Sequence, residues 1–249
     1  PFFQRPYVWK EENWETLWDN IWSVFESKKN NNSEMKEHFI GTLIVKQRKA
    51  RILGDNSYDC IDGQQRLTTV SLLCKALADS CSEESESLRA YIDELLKLRD
   101  ARGNIFLRIE HNRIDGPYFE ALLQNQDLSL LSNKNSNIIN AYKYFKKKTG
   151  ALSDEEIELF TDTILSNVPI ISMLLSESDD EQVIFDTINS LGVRLTTAEL
   201  LKNYIFKEEE LRNLYDNHWL DCFEADDERV EFWNRPKTAG RIIRTNIEV

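Results

Sequence analysis

The sequence predicts an α+β fold: a small mixed sheet near residues 39–62 with flanking helices, followed by a mainly helical region. Three observations carry this. The hydrophobic period changes from two to about 3.6 at Gly63. β-Branched apolar runs stand at Phe39–Lys46 and Val168–Leu175. Most of residues 83–167 repeat their apolar side chains at helical spacing. The chain is expected to divide into an N-terminal core over residues 1–82 and a helical region over residues 83–249 packed on it.

Taken in order, Pro1–Trp9 (Pro-Phe-Phe-Gln-Arg-Pro-Tyr-Val-Trp) holds two prolines and should be extended. Trp14, Leu17, Trp18, Ile21, Trp22 and Phe25 then recur at helical spacing, so their tryptophans belong to a core. Residues 28–37, rich in Lys and Asn, read as a loop. Phe39–Lys46 reads as a strand in which Gly41 marks a bulge or a close approach. Ala50–Leu53 is its expected partner, and Gly54-Asp55-Asn56-Ser57 a turn into a further strand at Tyr58–Ile61. Leu67, Val70, Cys74, Leu77 and Cys81 predict a helix of about four turns. Leu88, Ile92, Leu95, Leu96 and Leu98 predict another, Ile105–Ile109 a short extended segment, and Tyr118–Leu123, Ile138–Phe145 and Ile157–Leu165 three more helices. Val168–Leu175 reads as a buried strand or connecting segment. Asp179–Asn189 predicts a helix with Val183, Ile184 and Ile188 inward. Thr196 with Glu199 is a capping box for a last helix bearing Leu200, Leu201, Tyr204 and Ile205.

With 249 residues, 41% of them hydrophobic, and six Trp, the chain can bury a sizeable core. No apolar run approaches the ~18 residues of a membrane span, and no signal peptide is read at its start. Cys60, Cys74, Cys81 and Cys222 lack a paired short spacing, which argues for a reducing cytoplasm and against a zinc site. His38, His111 and His218 are too dispersed for a metal cluster, and His111-Asn112 alone is too little for a nuclease signature. The net charge of −12 is the wrong sign for a generic nucleic-acid coat. Residues 41–75 nevertheless hold Lys46, Arg48, Lys49, Arg51, Arg66 and Lys75 against three Asp, while residues 207–231 are strongly acidic. A polyanion is therefore expected to meet the N-terminal half. The start at Pro1 and the end at Val249 fit a segment of a longer protein.

The stretch Tyr58–Thr69 concentrates the chemistry. A strand ends, turns on Gly63 and enters a helix, with Asp62, Gln64, Gln65 and Arg66 packed into the turn. A helix N-terminus favours anions through its free N–H groups and dipole. Arg66 could clamp phosphate oxygens in a bidentate fork, Asp62 could hold a divalent ion, and Gln64 or Gln65 could orient a water. The same residues also suit a solvated polar turn with a structural Asp–Arg pair. There is no Gly-x-x-x-x-Gly-Lys-Ser/Thr loop, so the chain is not a P-loop enzyme.

Four blocks stand in order along the chain: Gln-Arg-Pro-Tyr-Val-Trp (4–9), Phe-Ile-Gly-Thr-Leu (39–43), Ile-Asp-Gly-Gln-Gln-Arg-Leu-Thr-Thr (61–69), and Phe-Asp-Thr-Ile-Asn-Ser-Leu-Gly (185–192) with Leu-Leu-Lys-Asn (200–203). Together they resemble the family catalogued as domain of unknown function 262, of GmrSD-like modification-dependent restriction systems. The resemblance implies a ParB/sulfiredoxin-like N-terminal fold in which the central turn binds nucleotide phosphates. It implies a nucleotide-binding and NTP-hydrolysing sensor module in phage defence, acting on DNA with modified bases or a phosphorothioate backbone. Asp62, Gln64, Gln65 and Arg66 would be catalytic, with Asp62 the ligand of a divalent cation such as Mg. Gly63, Arg66, Thr68, Asn189 and Lys202 would bind the nucleotide. Glu199 stands where the family more often has Asp. Gln4, Arg5 and Tyr7 would read DNA by stacking and hydrogen bonding, although the aromatics around them could equally anchor the N-terminal segment on the core. Family members usually add a His-Asn-His-type nuclease domain, so a nuclease domain or subunit outside this chain is implied. Two other readings stay open: a non-catalytic module that binds modified DNA and regulates a separate nuclease domain, and a sulfiredoxin-like enzyme acting on another phosphorylated substrate. A sulfiredoxin itself would want a reactive Cys beside the central Arg, where Gln64 and Gln65 stand.

Overall fold

The computed structural model describes residues 6–30, 37–48, 57–100, 102–112, 114–128, 131, 136–189, 197–206, 209–239 and 242–248. Contacts group the chain into two units, one of Pro6–Ile44 with Asp62–Met173 and the other of Pro1–Arg5, Val45–Ile61 and Leu174–Val249. The elements in order are α1 (Glu11–Lys29), β1 (Thr42–Gln47), β2 (Tyr58–Asp62), α2 (Gln64–Ser80), α3 (Glu86–Leu96), β3 (Lys97–Arg99), β4 (Ile105–Leu107), α4 (Gly116–Leu123), α5 (Asn137–Thr149), α6 (Asp154–Asn167) and β5 (Ile171–Leu175). They continue with α7 (Glu181–Asn189), α8 (Thr197–Ile205), the short α9 (Arg212–Leu214), a π-helix (Tyr215–Glu224), α10 (Asp227–Asn234), β6 (Pro236–Ala239) and β7 (Ile242–Thr245). The chain is thus α+β, largely helical, with a small mixed sheet.

That sheet has the order β2-β1-β5. Among the described residues its third strand is Ile171–Leu175, beside β1; the expected partner Ala50–Leu53 lies outside the described residues. The pairing begins ahead of both strands: His38 N–H donates to Asn167 O at 3.0 Å and Ile40 N–H to Pro169 O at 3.2 Å, then Ile171 N–H to Gly41 O at 3.2 Å. The partners advance together along both segments, the pattern of parallel strands. β5 was expected to be buried. As an edge strand it has only Leu175 buried, while Ile171, Met173 and Leu174 are exposed. The helix over Leu88–Leu98 ends two residues early, because Leu98 pairs with Phe106 in the antiparallel β3–β4 hairpin.

In the first unit, α2 packs against α3, α5 and α6, and α1 against α5 and α6. Leu72, Leu73, Ala76, Leu77 and Ala78 of α2 expose no surface. They form the apolar part of a helix buried on nearly every side, whose buried polar residues include Thr69 and Lys75. Trp18 stacks on Phe160 at 5.2 Å and on Trp22 at 5.4 Å, so the tryptophan stripe of α1 is core. Each such ring contributes about 1.5–3 kcal/mol through burial. Cys74 and Cys81 are buried free thiols on this helix and just past its end, and burial pushes the Cys74 thiol up to about 12.

The second unit builds a smaller aromatic cluster. Phe206 meets Tyr215 and Trp219 edge-on at 5.4 and 5.5 Å, and Trp219 packs on Phe223 at 4.4 Å. Val183, expected inward on α7, is 59% exposed. The expected apolar face of α8 is also open, with Leu200, Leu201, Tyr204 and Ile205 all exposed. Thr196 of the expected capping box and the side chain of Ile188 lie outside the described residues.

Candidate functional site at the start of α2

Gly63 ends β2 and starts α2 with φ +97°, a conformation that costs glycine little and other residues much. A Cβ there would lie 3.0 Å from Thr42 O and 3.1 Å from Leu43 Cδ1. The glycine turn combines a positive φ with a close backbone approach, because it is pressed against the first residues of β1. Gly63 O accepts the first helical bond from Leu67 N–H at 3.0 Å, and among the described residues no side chain caps the amides of the first turn. By contrast α6 opens with a full capping box between Ser153 and Glu156.

The four polar residues of the turn fall into different roles. Arg66 Nη2 donates to Thr42 O at 2.6 Å and meets Asp62 Oδ2 at 3.2 Å across one helical turn. The guanidinium lies over Gly41, whose φ is +116° and whose missing Cβ would stand 3.1 Å from Arg66 Cζ and Nε. Gly41 is therefore the close-approach glycine that its place in the sequence suggested, and what approaches is a side chain. Arg66 Nε is buried without a hydrogen-bond partner. Arg66 was expected to serve phosphate in place of an ion pair; in the structure it holds the structural pair with Asp62 and retains a donor without an acceptor.

Gln65 is 8% exposed and faces inward. Its Oε1 accepts from Val8 N–H at 2.9 Å and Trp9 N–H at 3.3 Å, and its Nε2 donates to Pro6 O at 3.1 Å. This amide pairs with backbone in the way a neighbouring strand would, and it holds the segment Pro6–Trp9 against α2. Its amide is committed to that clamp and does not face a water. Gln64, one residue away and so rotated by about 100° on the helix, is half-buried and has no hydrogen-bond partner among the described residues.

Tyr7 was expected on DNA. It is instead 4% exposed, and its N–H donates to Asp115 Oδ2 at 2.7 Å. Trp14 Nε1 donates to Tyr7 Oη at 2.8 Å, Tyr7 Oη lies 2.6 Å from Thr69 Oγ1, and Thr69 Oγ1 donates to Gln65 O at 2.7 Å. Since the Thr69 proton is used on Gln65 O, the phenol must donate to Thr69, and the hydrogen bonds run one way from α1 to α2. Burial pushes the Tyr7 phenol well above its ordinary value, with the Thr69 and Trp14 hydrogen bonds working against the rise. Of the two open readings of the N-terminal aromatics, anchoring on the core is the one Tyr7 follows. Gln4 and Arg5 lie outside the described residues.

Thr68, expected on the nucleotide, is 2% exposed and its Oγ1 lies 3.3 Å from His111 Nε2. His111 packs on Phe119 at 4.3 Å, and burial lowers its pKa to about 4. Lys202, the other expected ligand, belongs to the second unit. It is 1% exposed and its Nζ stands 3.0 Å from Glu224 Oε1. The Glu224 oxygens also accept from Tyr215 Oη at 2.6 Å and Trp219 Nε1 at 3.2 Å. Lys202 is thus a paired core cation. Asn189 closes α7, and its side chain lies outside the described residues.

The basic excess of residues 41–75 is largely neutralised within the fold. Lys46 pairs with Glu181 at 3.0 Å, Arg48 with Asp59 at 2.8 Å, Arg66 with Asp62, and buried Lys75 with Asp79 at 2.6 Å. Lys49 and Arg51 lie outside the described residues. Nor does Asp62 gather companions, since no group of three or more His, Cys, Asp or Glu among the described residues could hold a metal ion. The protein donors therefore do not by themselves fit a divalent cation.

Arg66 also lines an open groove of about 210 Å³ together with Trp9, Asn13, Asn20, His38 and Phe39. Sequence reasoning passed over these α1 amides and His38. The available signal was the repeat of Asn at positions 13 and 20, which places two amides on one stripe of α1.

What the geometry defines is an α+β chain with an uncapped helix start, a glycine turn and an arginine at a groove. A family model described as GmrSD restriction endonuclease, N-terminal domain, matches residues 1–206, and the chain belongs to that family. It is a module of a restriction endonuclease system, whose macromolecular partner is DNA. No curated protein matches the chain. Among the described residues no helix is long and apolar enough to cross a membrane.

Proposed function

We propose that this chain is the nucleotide-binding, NTP-hydrolysing sensor module of a modification-dependent restriction system active in phage defence. The observation that carries the reading is the start of α2: first-turn amides behind Gly63 with no side-chain cap among the described residues, and beside them the partly open guanidinium of Arg66. Phosphoryl transfer depends on positioning and charge neutralisation, and helix amides with a guanidinium supply both. In this reading the amides and Arg66 receive phosphate oxygens and Gln64, the unengaged amide, orients the attacking water. Gln65 keeps the helix start in place through Pro6–Trp9, and Asp62 holds the guanidinium. A cation such as Mg would offset phosphate charge, shared between Asp62 and the nucleotide; no step here is derived through it. Gln4 and Arg5, just ahead of the segment clamped by Gln65, remain the proposed readers of DNA.

The test is phosphate release from ATP, GTP, CTP and UTP, with and without plain and modified DNA. Arg66→Ala should lose about 30- to 1000-fold in turnover, the loss of one charge-stabilising group. Arg66→Lys should recover only part, since an ammonium lacks the planar fork. An Arg66→Ala protein that melts like the parent and keeps full binding and turnover would overturn the reading. A second reading, a binding module without turnover, is favoured by the engagement of Asp62 and Gln65 in structural contacts; nucleotide binding with no phosphate release under any DNA condition would select it.

A further inference from the structure

We propose that the groove between α1 and residues 38–40 is a nucleobase pocket that takes the base of the nucleotide whose phosphates meet the start of α2. The inference rests on the phosphate assignment above. The groove's lining has the chemistry of a base site. Trp9 and half-exposed Phe39 offer aromatic faces, and Leu17 and Ile40 add apolar surface. Asn13 and Asn20 bring amides from one stripe of α1, and an amide carries both donors and an acceptor, as a base edge requires. Asn13 Oδ1 is used by Lys10 N–H at 3.1 Å, but the side chains of Asn20 and His38 have no hydrogen-bond partner among the described residues. Unused amide and imidazole groups beside aromatic rings are what a planar heterocycle with a polar edge would satisfy.

Arg66 joins the pocket to the helix start. It is residue three of α2 and, among the described residues, the only charged side chain lining the groove. A ligand lying in the groove therefore meets aromatic and amide groups together with one guanidinium, the chemistry that a base and a phosphate require. Gly41 fits the same scheme: its missing side chain sets the height at which the guanidinium lies.

The experiment is calorimetric binding of the four nucleoside triphosphates and of inorganic tripolyphosphate to the parent, Phe39→Ala and Asn20→Ala. Both positions are partly exposed, so both variants should melt as the parent does, and each checks the other. Loss of base–aromatic stacking should weaken nucleoside triphosphates about 5- to 100-fold in Phe39→Ala and leave tripolyphosphate unchanged. Asn20→Ala should shrink the preference among the four bases. If nucleotides and tripolyphosphate bind alike and neither variant changes either, the base pocket is wrong while the phosphate assignment stands. If neither ligand binds the parent, both readings fall. Weakened binding of single-stranded DNA, with nucleotides unaffected, would assign the groove to a DNA base and overturn the proposal.

Discussion

Arg66 and Lys202 invite comparison, because the motif resemblance expected both cations on a nucleotide and the regions around them do opposite things. At α8 the ammonium is sealed, paired with Glu224, and the carboxylate is completed by Tyr215 and Trp219. At α2 the guanidinium is partly open, shares one nitrogen between Thr42 O and Asp62, and leaves Nε without an acceptor beside a groove. A buried charge whose partners are all protein groups serves the fold. A cation that stays partly open at a concave surface, as Arg66 does at 27% exposure, is available to a ligand. The lesson is that residue type and motif position do not separate these two cases, whereas burial of the charged group does.

The contrast can be broken most sharply at Lys202. Lys202→Met leaves Glu224 buried without its cation and should cost about 3–5 kcal/mol in unfolding free energy. Adding Glu224→Gln should restore much of it, since Trp219 Nε1 can still donate to the amide oxygen and the Tyr215 hydroxyl can turn to accept from the amide NH2. Urea unfolding of the single and double variants checks this. Unchanged stability with lost nucleotide binding would show that Lys202 is a ligand after all.

The Thr68–His111 pair belongs on the sealed side, and pH tests it. His111 titrates near 4 in the fold against about 6.5 when unfolded, because burial disfavours the imidazolium. Above pH 6.5 both states are neutral and the contribution is fully present. Between pH 6.5 and 4 the unfolded chain takes a proton that the native one refuses, so stability falls by on the order of 3 kcal/mol. Unfolding curves over that window should be steeper in pH for the parent than for His111→Phe. Parallel curves would mean that the imidazole is not held neutral.

The smallest effects separate the two glutamines. Gln65→Ala leaves the N–H groups of Val8 and Trp9 without their acceptor and should cost about 1–3 kcal/mol. Gln64→Ala should change stability by less than about 0.5 kcal/mol while slowing phosphate release. Melting temperature and turnover on the same two variants give the answer. A reversal of the pattern would exchange their roles.

Much of this was legible in the chain. The strand–Gly63–helix transition, the tryptophan core of α1 and the helices over residues 116–167 follow from local periodicity and appear in the structure. The run Val168–Leu175 was legible as a strand or connecting segment, but its pairing with β1 was not, because that depends on partners far apart in sequence. At the site, Gly63 and Gly41 were readable because positive φ and close approach have one usual residue. Gln64 and Gln65 were not distinguishable by type. The clue was positional: Gln65, Thr69, Leu72 and Ala76 share one face of α2, all of them buried. An aromatic such as Tyr7 reads the same whether it meets DNA or a threonine, and only its buried hydrogen bonds decide.

The place of β1 between β2 and β5 sets a timetable for synthesis. The motif turn and both its glycines leave the ribosome well before Ile171, and at about 5–20 residues per second the β1 edge waits roughly 6–25 s for its second neighbour. During that interval Gly41 has no Ile171 amide to accept from, and the strand is a bare edge open to mispairing. Ribosome-bound chains stalled after Asn167 should expose Gly41–Gln47 to protease, while chains stalled well past Leu175 should protect it. Equal protection at both lengths would mean that the turn matures without its last strand.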